Sequence, residues 1–224
     1  MKYAVIVAGG VGTRMKSNIP KQFLLLNGKP ILYHTIKAFQ TTISGIKIIL
    51  VLPKEYMEQL DYLNSLSENI ADIVVVSGGE TRFQSVKNGL NAIQTDGIVF
   101  IHDGVRPFIT QKLLENCLQT ALEKGNAIPC VLIKDSLRKI NSSNNEYANR
   151  EEFRAIQTPQ TFQIDSIKKA FEQPYQASFT DEASVLENLG EEINLIHGID
   201  ENIKITTPFD LKMAEIIISQ SSII

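Results

Sequence analysis

Short apolar runs rich in β-branched residues alternate with stretches of helical period along the first 133 residues. Residues 3–7, 47–52, 73–76, 97–101 and 126–133 are nearly continuous in Val, Ile, Leu and other apolar side chains. Such runs suit strands buried on both faces. Residues 31–39 carry a helical pattern. Between 80 and 93, Phe83, Val86, Leu90 and Ile93 recur at spacings of three and four, which is one face of a helix. Thr110 is an N-cap residue type and Gly125 a C-terminal stop, so a helix is predicted between them with Leu113, Leu114, Cys117 and Ala121 inside it. Strands alternating with helices predict an α/β fold: a Rossmann-like, mostly parallel sheet with helices on both faces.

The rhythm breaks at 134–150, a polar stretch centred on Asn141-Ser142-Ser143-Asn144-Asn145. That cluster reads as a turn. Two readings stay open, a surface loop or a projecting β-hairpin arm, because about 17 residues without structure are uncommon in a compact domain. Beyond it, 155–157, 192–197 and 202–206 read as strands. Asp165 is a candidate cap for a helix to about 173. Thr207-Pro208 is an N-cap followed by proline at the first helical position, opening a last helix to about 219. No repeat or linker divides the chain, so one domain is expected over 1–224, with the arm at about 134–152.

Composition narrows the class without choosing a function. Hydrophobic residues make up 43% and charged residues 21%, with a net charge of -3. Those values exclude collagen-like, disordered and disulfide-rich chains, and a duplex-DNA binder would be more basic. Cys117 and Cys130 form no C-x-x-C motif, so neither a disulfide framework nor a cysteine zinc site is expected. The longest apolar runs fall short of the ~18 residues of a membrane helix. The N-terminal run is too short for a signal-peptide core, which leaves the cytoplasm as the default compartment. Charge is unevenly spread: eight cations and no acid precede Glu55, and the remainder holds all 25 acidic residues. This is either a set of solvated lysines or an N-terminal segment that meets an anionic ligand.

In open α/β sheets, ligands lie beyond the carboxyl ends of the strands. The first such segment is Ala8-Gly9-Gly10-Val11-Gly12-Thr13-Arg14, where glycines let backbone N–H groups approach phosphate oxygens. A dinucleotide fingerprint would need a glycine where Met15 stands, and an acid about 20 residues on. A P-loop would need Gly-Lys-Ser/Thr closing the loop. Neither is present. Pro20 restrains the chain before Lys21, so Arg14 and Lys21 make a pair of cations around one anionic site.

The run 8–15, followed by Pro20-Lys21-Gln22-Phe23, resembles the signature of nucleotidyltransferases that join a sugar or polyol phosphate to a nucleotide. Further motifs are Gly78-Gly79-Glu80-Thr81-Arg82-Phe83-Gln84-Ser85-Val86, His102-Asp103-Gly104-Val105-Arg106-Pro107-Phe108, Gln157-Thr158-Pro159-Gln160, Thr180-Asp181-Glu182-Ala183-Ser184 and Asn202-Ile203-Lys204-Ile205-Thr206. In order and spacing they resemble the 2-C-methyl-D-erythritol 4-phosphate cytidylyltransferases of the non-mevalonate isoprenoid pathway, over nearly the whole chain. The resemblance implies a nucleotide-diphospho-sugar transferase type of fold. It also implies transfer of CMP from CTP to the polyol phosphate, with release of pyrophosphate. The attacking phosphate oxygen is already ionised, so the difficulty is electrostatic rather than one of proton transfer.

On that resemblance, Arg14 and Lys21 stabilise the transition state at the triphosphate. Gly10, Val11 and Gly12, with Thr13 in the same run, line the phosphates. Ala8, Gly9, Gly79 and Ser85 frame cytosine. Asp103 holds Mg²⁺ or lies close to it, a loop cap being its alternative role. Lys204 holds both substrates near the α-phosphate, and Arg106 and Thr180 shape the polyol pocket. The arm is exchanged across a homodimer. Its Arg150 grips the phosphate bound to the other subunit, and Ser136 takes a position where the family usually has threonine. Other departures are Arg138 for lysine, Gly9 for alanine and Gly104-Val105 for Ala-Ala. His34 and His102 are expected to be structural, and neither nucleic acid nor membrane is expected as a partner. Three alternatives remain: a ribitol-5-phosphate cytidylyltransferase, a hexose-1-phosphate nucleotidyltransferase and a non-catalytic nucleotide-binding module. The run 180–184 weighs against the first and the short chain against the second. The set Arg14, Lys21, Asp103 and Lys204 weighs against the third.

Overall fold

The structure, a computed structural model, describes residues 1–10, 15, 19–59 and 73–220. Its strands in chain order are β1 (Lys2–Val7), β2 (Leu25–Leu26), β3 (Lys29–Pro30), β4 (Lys47–Leu52), β5 (Ile73–Ser77), β6 (Ile98–Asp103), β7 (Asn126–Leu132), β8 (Leu137–Ile140), β9 (Asn145–Ala148), β10 (Arg154–Ile156), β11 (Gln160–Gln163) and β12 (Leu195–His197). The α-helices are α1 (Ile31–Thr42), α2 (Arg82–Asn91), α3 (Gln111–Lys124), α4 (Ile164–Ala170), α5 (Glu182–Glu187) and α6 (Pro208–Gln220).

Period-two alternation in the central strands sorts their side chains between two helix layers. Tyr3 and Val5 of β1, Ile49 and Val51 of β4, and Val99 and Ile101 of β6 pack with Phe83, Val86 and Leu90 of α2 and with Ile164 and Ile167 of α4. Their neighbours Ala4, Ile6, Ile48, Leu50, Ile98 and Phe100 pack with Ile36 and Phe39 of α1 and with Leu113, Leu114, Cys117 and Ala121 of α3. Strands buried on both faces therefore read as continuous apolar runs, as the sequence implied. A smaller core joins Leu26, Ile31, Val105, Phe108 and Ile205 to Ala214 of α6.

The sheet order is β10-β7-β11-β6-β1-β4-β5, with β12 also paired to β7. β6, β1, β4 and β5 are mutually parallel. β11 enters antiparallel between β6 and β7. The expected mostly parallel sheet with helices on both faces is present. Helix α3 has the predicted ends: Thr110 Oγ1 accepts a hydrogen bond from the Leu113 N–H at 3.3 Å, and Gly125 takes φ 91°. Residues 134–150 contain a hairpin, β8 and β9, which forms a sheet of its own. Among the described residues no helix is long and apolar enough to cross a membrane.

Four local expectations are corrected. Residues 202–206 form no strand; the Asn202 and Ile203 N–H groups bond locally to the Ile199 and Glu201 carbonyls, and Ile205 N–H reaches across to the Val105 carbonyl at 3.0 Å. Asp165 is not a cap: α4 starts at Ile164 after Gln163, leaving Asp165 in the first turn, where a negative charge favours the helix dipole. That helix ends at Ala170. The strand expected at 192–197 shrinks to β12, because the Asn126 side chain takes the Glu192 carbonyl and the Asn194 N–H that a ladder would use. Elements the pattern did not reveal are β11, α5 and the β2–β3 hairpin. That hairpin turns through Asn27 and Gly28, both at positive φ.

Candidate active site

Four parallel strands, β6, β1, β4 and β5, end side by side, and one hydrogen bond carries each of their three pairings a residue further. Ala8 N–H bonds the Val51 carbonyl at 2.9 Å, Gly78 N–H bonds Leu52 at 2.7 Å, and Gly104 N–H bonds Val7 at 2.9 Å. The segments leaving β1, β5 and β6 are thereby gathered around one mouth. A pocket of about 330 Å³ lies there, lined by Ala8, Gly9, Gly10, Lys21, Gln22, Gly79, Arg82, Ser85, Asp103 and Lys204 among others.

One wall is made of small residues. The Ser85 hydroxyl accepts from Gly79 N–H at 3.1 Å and donates to the Thr81 carbonyl at 2.9 Å. A Cβ on Gly9 would lie 3.6 Å from that hydroxyl oxygen, so Gly9, Gly79 and Ser85 come together. Thr81 also caps α2, accepting from Gln84 N–H at 3.0 Å, which fixes where the helix starts. Lys21 opens a short 3-10 turn after Pro20. The next residue, Gln22, is buried and donates to the Ala8 carbonyl at 2.7 Å. This bond ties the lysine-bearing turn to the end of β1.

The floor is charged. Asp103, at the end of β6, has a nearly buried carboxylate. Arg82 Nη2 lies 3.3 Å from its Oδ1; Arg106 Nε at 3.3 Å and Lys204 Nζ at 3.0 Å approach its Oδ2. Burial alone would raise the Asp103 carboxyl. The Arg82, Lys204 and Arg106 charges outweigh it and hold Asp103 well below the usual carboxylate range, so it is ionised at neutral pH. Arg82 is also paired in both directions with the buried Glu182.

The motifs quoted from the sequence interlock beneath this floor. Arg106 Nη1 donates to the Asn202 carbonyl at 2.7 Å, and Asn202 Nδ2 donates to the Thr158 carbonyl at 2.8 Å. Gln157 exchanges hydrogen bonds with the backbone of Ile199. Gln160 holds Asp181 and the Ala183 N–H at the start of α5. The neutral ring of His102 completes the set. Its Nε2 lies 3.0 Å from the Arg106 carbonyl, its Nδ1 lies 2.9 Å from the Thr158 hydroxyl, and that hydroxyl accepts from the Asp103 N–H.

A family model described as 2-C-methyl-D-erythritol 4-phosphate cytidylyltransferase matches residues 2–220. The chain belongs to this family. It is 45% identical over 222 residues to the 2-C-methyl-D-erythritol 4-phosphate cytidylyltransferase of Phocaeicola vulgatus, covering 97% of this chain and 99% of that one. It is 46% identical over 212 residues to that of Bacteroides thetaiotaomicron, covering 93% and 95%. Among solved structures, the 4-diphosphocytidyl-2C-methyl-D-erythritol synthase of Anaerococcus prevotii superposes with a TM-score of 0.83 at 27% identity, over 98% of this chain and 96% of that one.

Of the cytidylyltransferase residues expected from the sequence, Ala8, Gly9, Gly10, Lys21, Gly79, Ser85, Asp103 and Lys204 line the one pocket. Arg106 reaches it through Asp103. Val11, Gly12, Thr13 and Arg14 lie outside the described residues. Ser136, Arg150 and Thr180 are exposed and do not line this pocket. Arg150 instead donates to the Lys134 carbonyl at the base of the arm and borders a second, larger cavity with Lys134 and Arg154. Sequence reasoning missed Gln22, Arg82 and Glu182 as site residues. Arg82 and Glu182 stood inside quoted motifs, but only folding shows that residues 100 apart share a carboxylate–guanidinium pair.

Proposed function

We propose that this member of the family transfers CMP from CTP to the phosphate of 2-C-methyl-D-erythritol 4-phosphate, forming CDP-methylerythritol and pyrophosphate for isoprenoid precursor synthesis. The observation that carries the proposal is the meeting of Lys21, Lys204 and Asp103 beside a wall of small residues at the ends of β1, β5 and β6. That wall suits a flat base. The two ammonium groups suit a polyanion: charge grows on the α-phosphate and on the leaving pyrophosphate, and fixed cations lower the energy of that state. The substrate phosphate needs no base to activate it. No histidine borders the pocket, and the His102 nitrogens are both occupied inside the fold.

Magnesium fits this donor set in one way. Asp103 offers a single hard carboxylate whose Oδ1 has, among the described residues, one cationic partner, whereas Oδ2 has two. Among the described residues no group of three His, Cys, Asp or Glu could hold a metal without help. The site therefore suits an ion that takes one protein oxygen, with its other ligands from phosphate and water. When bound, such an ion would offset negative charge shared by the two reacting phosphates. Asp103 would hold it, Lys21 and Arg14 would face the triphosphate, and Lys204 would contact both substrates.

The enzyme is read as a cytoplasmic homodimer, in accord with its two free, buried cysteines. The arm exposes Ile140 and Tyr147, apolar surface of the kind a second copy would cover. In that dimer Arg150 would grip the phosphate of the polyol bound to the partner, with Ser136, Arg106 and Thr180 shaping the pocket. A pyrophosphate-release assay with CTP and either methylerythritol 4-phosphate or ribitol 5-phosphate tests the reading. Strong preference for the first, abolished by excess EDTA, is expected. Preference for ribitol phosphate would overturn the substrate, and full activity in EDTA would overturn the metal.

A further inference from the structure

Glu182 has no part in the chemistry described above, yet it is held with unusual care. Its carboxylate is 1% exposed. Both terminal nitrogens of Arg82 meet its two oxygens, Nη1 on Oε1 and Nη2 on Oε2 at 3.1 Å. A buried carboxylate needs such pairing, because desolvation penalises its charge. The same Arg82 Nη2 donates to Asp103 Oδ1 at 3.3 Å. The guanidinium is thus a rigid plane between two carboxylates, one from α5 and one from β6.

What fixes Glu182 also fixes its distance from Asp103. Helix α5 begins with a capping box between Asp181 and Ser184. Gln160 grips that start twice, through Asp181 Oδ2 at 2.9 Å and the Ala183 N–H at 2.8 Å. Gln160 opens β11 and pairs with Ile101 of β6, two residues before Asp103. The strand that carries Asp103 is therefore the strand that locates Glu182. Oδ1 is held by Arg82 and Oδ2 by Arg106 Nε at 3.3 Å; the pair pins the carboxylate plane, with Oδ2 turned toward Lys204 Nζ at 3.0 Å. Arg82, Asp103 and Lys204 all line the pocket; Glu182 stands behind them and does not.

We propose that Glu182 is a positioning residue for cytidylyl transfer: through Arg82 it fixes the Asp103 carboxylate, and through Asp103 it aims the Lys204 ammonium at the reacting phosphates. The role rests on the reaction proposed above. Glu182 also balances the Arg82 charge, so that this guanidinium serves as a fixed support and not as a ligand for the triphosphate. Misplacing a group that acts on a transition state by ~1 Å can cost about 100-fold. Loss of a partner that orients such a group typically costs about 10–100-fold.

The test is steady-state kinetics of Glu182→Gln, which keeps the shape and removes the charge. The expected result is a fall in kcat of about 10-fold or more, with the KM for CTP within about twofold, since Glu182 does not itself line the nucleotide pocket and reaches it through Arg82. Calorimetric titration supplies a readout that a merely structural role would move differently: the number of CTP sites per chain stays at the wild-type value while turnover per site falls. Arg82→Met and the double variant Arg82→Met/Glu182→Gln complete a cycle. Adding Glu182→Gln to Arg82→Met is expected to change kcat by less than about twofold, because the route through Arg82 is already cut. If Glu182→Gln alone does not fold, this comparison still decides, as the double variant removes both buried charges together. Wild-type kcat in Glu182→Gln, or an equal loss with and without Arg82, would overturn the role. Absence of pyrophosphate release by the wild type would instead overturn the reaction, and the role with it.

Discussion

At the scale of single residues, the site is organised by burial as much as by charge. His102 illustrates this. It is fully buried, and burial pushes its ring down to about 4 from an ordinary 6.5, against the pull of the Arg106 carbonyl and Asp103. Burial lowers His34 in the same direction. A neutral histidine in the fold and a protonatable one in the unfolded chain mean that the unfolded state takes up more protons between those values. Stability is complete above about pH 6.5 and falls as pH drops toward 4, by up to about 1.4 kcal/mol per pH unit for one such group. Urea melts at pH 7 and pH 5 should show that loss in the wild type and a smaller one in His102→Gln. An identical loss in both would assign the acid sensitivity elsewhere. The motif residues were legible because their chemistry is explicit: a lysine after proline, glycines after a strand, an aspartate after a strand. Arg82 and Glu182 were not, because a surface-type arginine and a glutamate in the first turn of a helix look the same whether solvated or paired. The glycine at 104 has a packing reason. A Cβ there would lie 2.9 Å from Ala8 Cβ and 3.2 Å from Leu32 Cδ1.

Secondary-structure elements followed the apolar pattern wherever the pattern was long. α2 had its face read correctly from Phe83, Val86 and Leu90, all of which are buried. Its seating depends on a residue that the pattern cannot weigh. A Cβ on Gly89 would lie 2.5 Å from Val5 Cγ1 and 3.0 Å from Val51 Cγ2. β1 is paired on both edges and cannot retreat. Gly89→Ala should therefore lower stability by about 1–3 kcal/mol through overpacking, less the ~1 kcal/mol that alanine gains over glycine in a helix. A denaturant midpoint at or above the wild-type value would show that α2 shifts freely. Short elements escaped the pattern for physical reasons. β11 has four residues and begins with two buried polar side chains, Gln160 and Thr161. α5 has six residues, too few to display a period of 3.6. The stretch 202–206 alternates like a strand, yet its polar groups bond to Arg106 and Thr158 instead of a ladder.

For the whole molecule, the question is what one chain lacks. Arg150 and Ser136 lie on or beside the arm, away from the pocket that Asp103 and Lys204 line. If the arm completes the partner's site, Arg150→Ala should raise the KM for the polyol phosphate and leave that for CTP nearly unchanged. Mixing Arg150→Ala with a Lys21→Ala chain should then restore part of the activity, since one site of the mixed dimer would receive both intact groups. No restoration in mixtures shown to exchange subunits would count against a shared site. The α/β alternation, the strands buried on both faces, the ends of α3, the turn near 141–145 and the family were all readable from the chain alone, because each rests on local chemistry or on the order of motifs. It took the fold to show that residues 134–150 pair as a hairpin, that β11 lies antiparallel beside β6, that the Gln157 and Gln160 side chains hold the loops under the site, and that Glu182 reaches Asp103 through Arg82. Those contacts join residues far apart in the chain, and their strength comes from a burial that no local pattern records.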